Sequence, residues 1–114
     1  MANTFKLKST SNVGVSTVGI YTATSPVTAT VVIGITLANT SGSGIHVGIG
    51  ITRPAADTTK EDISLIKDVP IPQGSSFEFM QGNKIVLEAD DTLTAKSDVA
   101  GSLDVALTIM EITP

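Results

Sequence analysis

The chain has 114 residues, a formal charge of −4, 16% charged residues, 41% hydrophobic residues, and neither cysteine nor tryptophan. That length suits one domain with its own core. The missing cysteines exclude a disulfide framework and thiolate metal sites, and the scattered Lys and Arg, of which Lys6 and Lys8 come nearest to a cluster, argue against a nucleic-acid groove.

Met1 to Asn12 is polar and basic, with Phe5 and Leu7 alternating with Lys6 and Lys8. It reads as an N-terminal arm or an edge strand, since lysines on an edge discourage further pairing. It has no apolar leader segment, and no apolar run in the chain approaches the ~20 residues of a membrane-spanning helix, so the chain is expected to be soluble and made without a cleavable signal. Residues 13–114 are expected to form a single domain. Val13 to Tyr21 is the first predicted strand, and Thr22 to Pro26 is a turn.

Thr28 to Ile51, TATVVIGITLANTSGSGIHVGIGI, is the most strongly patterned stretch. It predicts a hairpin of two strands joined by a Ser/Gly turn. Side chains two apart share a face. Val31, Ile33, Ile35 and Leu37 therefore form one apolar face, and Ile45, Val47, Ile49 and Ile51 the other strand's. The opposite faces carry Val32, Gly34, Thr36 and Ala38, then His46, Gly48, Gly50 and Thr52. A solvated sheet face usually carries charge. This one is small and uncharged apart from His46, so Val32, Gly34, Ala38, His46, Gly48 and Gly50 are the candidate contact surface, within the subunit or between subunits.

Further strands are predicted at Ile63–Val69, irregular because Leu65 and Ile66 are both apolar, and at Ser76–Met80, with Phe77 and Phe79 on one face. Ile85–Glu88, Thr92–Ser97 and Ser102–Ile109 follow. Pro70 and Pro72 put the intervening segment at an edge or between sheets. Gln81–Lys84 is a hairpin turn, Ala89–Asp91 another, and the shift of apolar positions to Met110 and Ile112 predicts a bulge after Ile109. Composition agrees: Thr and Ser make up roughly a quarter of the chain, and β-branched residues favour pleated sheet. About eight strands at short, regular spacing predict an all-β, antiparallel, jelly-roll-like β-sandwich without a substantial helix.

Few residues suggest chemistry. His46 is the sole histidine and lacks the partners of a triad or zinc site. At a subunit interface, its protonation would weaken assembly near pH 6. Glu88, Asp90 and Asp91 are the one carboxylate cluster, but E-A-D-D lacks the further oxygen ligands of a calcium loop and reads as a turn. The glycines at 42, 44, 48 and 50 lead into a strand and not a helix, so they form no dinucleotide fingerprint; Gly48 and Gly50 are expected to admit a neighbouring backbone. No catalytic, cofactor or metal site is expected.

The segments Gly34–Ser41 (GITLANTS), Val69–Ser76 (VPIPQGSS), Gly82–Asp91 (GNKIVLEADD) and Asp104–Ile112 (DVALTIMEI) together resemble a group of small virion structural proteins of tailed bacteriophages, decoration or tail-fibre-like, especially from phages of cyanobacteria and other aquatic bacteria. The resemblance runs from about Thr22 onward. It departs at Asp90, where the pattern has glycine. It implies a non-enzymatic virion component assembled from protein made in the host cytoplasm. The expected role is a capsid decoration or cement protein that binds between capsomers, self-associating as a trimer and contacting the major capsid protein or another virion protein. A tail, neck or fibre-attachment component is the alternative. A carbohydrate-binding sandwich module is a third reading, disfavoured by the shortage of aromatic platforms.

Overall fold

The structure, a computed structural model, describes residues 2–79 and 84–114. Among these, nine strands and no helix occur: β1 (Ala2–Val13), β2 (Val18–Thr22), β3 (Ala29–Asn39), β4 (Ile45–Thr52), β5 (Ile63–Ile71), β6 (Ser76–Phe79), β7 (Ile85–Glu88), β8 (Thr92–Ser97) and β9 (Leu103–Thr113). They form two antiparallel sheets. Sheet A runs β1-β9-β3-β6, with β7 also on β3, and sheet B runs β2-β8-β4-β5. β6 lies along Ile35–Ala38 and β7 along Ala29–Val32, on one edge of β3. Counted as one interrupted strand, they complete the eight-strand pairing of a jelly roll. The Gln81–Lys84 turn, except Lys84, and Met80 lie outside the described residues.

The core lies between the sheets. Val32, Ile35, Leu37, Ile45, Val47, Ile49, Leu87, Leu93, Leu103, Leu107 and Ile109 are all buried there. Burying a side chain of this size contributes about 1.5–3 kcal/mol.

Three sequence expectations are corrected. First, β3 and β4 are not a hairpin; they lie in opposite sheets, and their apolar faces meet across the core. Asn39 makes the corner between them: its Nδ2 donates to Ser43 O (2.8 Å) and Ile71 O (3.0 Å), and its Oδ1 accepts from Ser41 N (2.9 Å). These bonds turn the chain from one sheet to the other. Second, Val13 closes β1 instead of opening the next strand. The chain changes sheets at Gly14, where a Cβ would lie 3.3 Å from Gly101 N. Third, the bulge is on β3, not after Ile109. Val32 pairs with Ile109 and Gly34 with Thr108, leaving Ile33 as the extra residue. Strand β9 runs unbroken because Glu111 takes the inward position after Ile109.

Expectations for β5 hold. It is an edge strand, with Pro70 opposite His46, and its pairing with β4 slips twice around Leu65 to Asp68. Asp68 adopts a positive φ of 54° there. Asp90 also lies in the left-handed region, at φ 67°. The turn therefore keeps the geometry that glycine adopts freely, although the residue is Asp. Asp90→Gly is expected to stabilise the fold by up to about 1 kcal/mol, read as a rise in the denaturation midpoint.

Candidate assembly surface

The β3 bulge decides which residues face out of sheet A. Before it, Thr30 and Val32 point inward; after it, Ile35 and Leu37 do. Val32 is fully buried in the subunit's own core, the within-subunit alternative, so it cannot contribute to a surface between subunits. Val31 faces outward in its place. Gly34 and Ala38 also face out of sheet A, whereas His46, Gly48 and Gly50 face out of sheet B. The remaining five residues thus lie on opposite sides of the sandwich and cannot form one contact.

Sheet B's outer face is largely accounted for within the subunit. The bulged β5 brings its backbone over the glycines of β4. A Cβ at Gly50 would sit 2.9 Å from Ile63 O, and one at Gly48 would sit 3.5 Å from Ile66 O. The backbone approach expected at these glycines is therefore made by β5. A trough of about 390 Å³ remains, bordered by His46, Lys67, Lys96 and Asp98 together with Ile63 and Ile66. His46 is exposed, with Nδ1 3.2 Å from Asp98 Oδ2. The backbone N–H of His46 also donates to Asp98, the main reason that carboxyl is held below its usual range. This face is charged and compatible with water.

Sheet A's outer face differs. Phe5 pairs with Met110, Met110 with Val31, and Val31 with Val86, placing an unbroken apolar row across four strands. Leu7 adjoins it. Phe5, Leu7 and Val86 are 70%, 72% and 58% exposed. Two residues further along β1 and β9, and three along the bulged β3, Leu7, Thr108 and Gly34 form the next row, and beyond it lie Ser9, Ala106 and Thr36. Those small residues, with Ala38 and Asp104, border a depression of about 370 Å³. On these rows of β1, β9 and β3 no side chain is charged, although the third row continues onto exposed Glu78 of β6. A contiguous apolar patch on an otherwise polar protein marks an interaction surface. Sequence pattern alone missed this row: one extra residue in β3 turns Val31 outward, and the pairings that set Phe5, Met110 and Val86 beside it join strands distant in sequence.

The edges of the sandwich are closed to strand addition. On β1, Lys6 and Lys8 point inward, opposite Ile109 and Leu107; β5 carries bulges and Pro70; β2 is short, and β6 and β7 are shorter still. Each is a recognised way of blocking edge-to-edge pairing.

Two polar clusters tie the sheets together. Tyr21 donates its hydroxyl to Glu111 Oε2 at 2.6 Å and lies 2.7 Å from Thr30 Oγ1, while Lys6 Nζ is 2.8 Å from Glu111 Oε1. The Lys6 and Tyr21 bonds hold the Glu111 carboxyl below its usual range. Burial, then the bond to Glu111, pushes the Tyr21 hydroxyl up to about 12. In the second cluster, Lys60 Nζ bridges Glu88 and Asp91, the latter at 2.7 Å, with Asp57 at 3.5 Å. The carboxylate turn considered for a cation thus surrounds a lysine ammonium. Its bonds to Asp91 and Glu88 raise the Lys60 pKa, so their contribution is present below the ordinary lysine value and is lost as pH rises through the higher folded one. Lys60→Met is expected to lower the melting temperature at pH 7, read by thermal denaturation.

Tyr21, the sole tyrosine, is buried, so it offers no platform for a sugar. No family model matches the chain, and no curated protein matches it by sequence. Solved structures do resemble it. A chain from Bacillus endospore appendages, disulfide-linked pili, is 15% identical at a TM-score of 0.52, covering 99% of this chain and 88% of that one. A chain of the infectious bursal disease virus particle is 13% identical at a TM-score of 0.57. That match covers 97% of this chain but only 31% of the viral one. A chain of the Helicobacter pylori bacteriophage capsid, described as acid-stable, is 10% identical at a TM-score of 0.55, covering 98% and 89%. At these identities the likeness is one of fold: an antiparallel β-sandwich shared with chains of a viral particle, a phage capsid and a pilus.

Proposed function

We propose that this chain is a non-enzymatic structural protein of a virion, specifically a decoration protein that binds the outside of a tailed-phage head and clamps neighbouring capsomers. The observation that carries this reading is the exposed apolar row of sheet A's outer face, Phe5, Met110, Val31 and Val86, on a sandwich whose edges are closed: such a molecule is suited to association through a face. The fold's likeness to capsid chains and the motif resemblance from Thr22 onward support the same reading. The mechanism is passive. Apolar area removed from water contributes about 25 cal/mol per Å², and symmetry repeats that contribution over a shell.

Copy number tests it. Quantifying the chain against the major capsid protein in purified virions is expected to give hundreds of copies. Tens or fewer would move it to the tail, neck or fibre attachment, and absence from the particle would overturn the virion role altogether.

A further inference from the structure

We infer that the outer face of sheet A binds a second copy of this chain about a two-fold axis, with the ridge of one copy seated in the hollow of the other. The inference rests on reading that face as an assembly surface and does not require the virion role.

The argument starts from the shape of the face. Its ridge is the row Phe5, Met110, Val31; its hollow is the row Ser9, Ala106, Thr36. On β1 and β9 these rows lie four residues apart, roughly 13 Å, with Leu7, Thr108 and Gly34 midway between them. A two-fold axis in the plane of the interface, running along that middle row, carries each ridge onto the partner's hollow. Phe5 then faces Ser9, Met110 faces Ala106, and Val31 faces Thr36, so each side chain of the ridge meets a smaller one, while Leu7, on the axis row, meets Leu7 of the second copy. Gly34 sits on the axis row, and among the described residues no atom lies within 4 Å of where its Cβ would be. An axis parallel to the strands would instead set ridge against ridge.

Charge and area agree. The rows are uncharged on β1, β9 and β3, and the carboxylates that border the hollow, Glu78 beside Thr36 and Asp104 beside Ala38, are carried by the two-fold onto Val86 and Ile112, so neither meets its own copy or the other. The molecule measures 45 × 28 × 22 Å, and its broad face has room for the ~800 Å² per partner that a stable interface buries. Closed edges leave face packing as the route to association, and an isologous pair is the commonest closed arrangement. It is a pair in place of the trimer that the phage resemblance implies.

The test uses the full chain, whose lack of cysteine makes single-cysteine variants unambiguous. Sedimentation is expected to give twice the 11.7 kDa chain mass. Thr108→Cys, at the axis, is expected to form a disulfide-linked dimer on mild oxidation, whereas Lys96→Cys on sheet B is not. Ala106→Arg fills the hollow and is expected to weaken association about tenfold or more. Phe5→Lys should do the same without altering the melting temperature of the monomer, since Phe5 is mostly exposed. A monomeric wild type, a dimer indifferent to both substitutions, or equal cross-linking at positions 108 and 96 would overturn the inference. A dimer that is absent from virions would support it while the virion role fails; a monomer found in virions would do the reverse.

Discussion

Gly50→Val is expected to destabilise the subunit by about 2–3 kcal/mol, whereas Gly48→Ala leaves stability unchanged or slightly raised. The difference comes from β5. At position 50 a Cβ would lie 2.9 Å from the Ile63 carbonyl oxygen and 3.2 Å from Thr94 Oγ1. The first is backbone of a paired strand, and Thr94 Oγ1 is held in place by donating to Gly50 O at 3.1 Å. Neither yields without loss, and overpacking of this kind costs about 1–3 kcal/mol. At position 48 the nearest atom, Ile66 O, is 3.5 Å away, an ordinary contact, and removing a strand glycine lowers the entropy of the unfolded chain. Chemical denaturation of both variants checks this. Equal midpoints would mean that β5 is not seated over β4 as described.

Glu111→Gln is expected to cost about 2 kcal/mol at neutral pH, the range for a hydrogen bond to a charged group. The sign of its pH dependence follows from the lowered carboxyl. Glu111 in the fold releases its proton more readily than in the unfolded chain, so its contribution is complete above the ordinary glutamate value of about 4.3 and is lost as pH falls through the lower folded value. The gap between wild type and Glu111→Gln should therefore be widest near neutrality and close in acid. Tyr21 works in the opposite direction. Its hydroxyl is pushed up to about 12, so the fold favours the neutral phenol, and that preference is lost as pH rises from about 10 towards that value. Tyr21→Phe is expected to remove this alkaline loss. Denaturation midpoints across pH check both, and parallel profiles for variants and wild type would contradict the network.

These two predictions also show how far the sequence could be read. Composition and strand spacing suffice for an all-β sandwich, because β-branched alternation is a local property. The inward set of β9, Leu103, Val105, Leu107 and Ile109, was legible for the same reason, as were the irregularity of β5 and its place at an edge. What failed depends on contacts distant in sequence. The β3 bulge at Ile33 is set by pairing with β9, and without it Val32 and Val31 exchange roles. Glu111 reads as an outward residue until Tyr21, 90 positions away, gives it a buried partner. Asn39 resembles a hairpin turn residue, and only its bond to Ile71 shows a corner between sheets. The candidate surface was accordingly half legible: a small, uncharged outward face was recognised, but its members were drawn from both sheets, and the exposed apolar row of sheet A was missed.

The most direct test is a density map of the intact virion, resolved well enough to orient this chain. The account predicts the sandwich on the outer surface of the head, with the outer face of sheet A buried against protein and Phe5, Met110 and Val31 in the contact. Absence of the chain from the particle, or its presence with that face open to solvent, would contradict it.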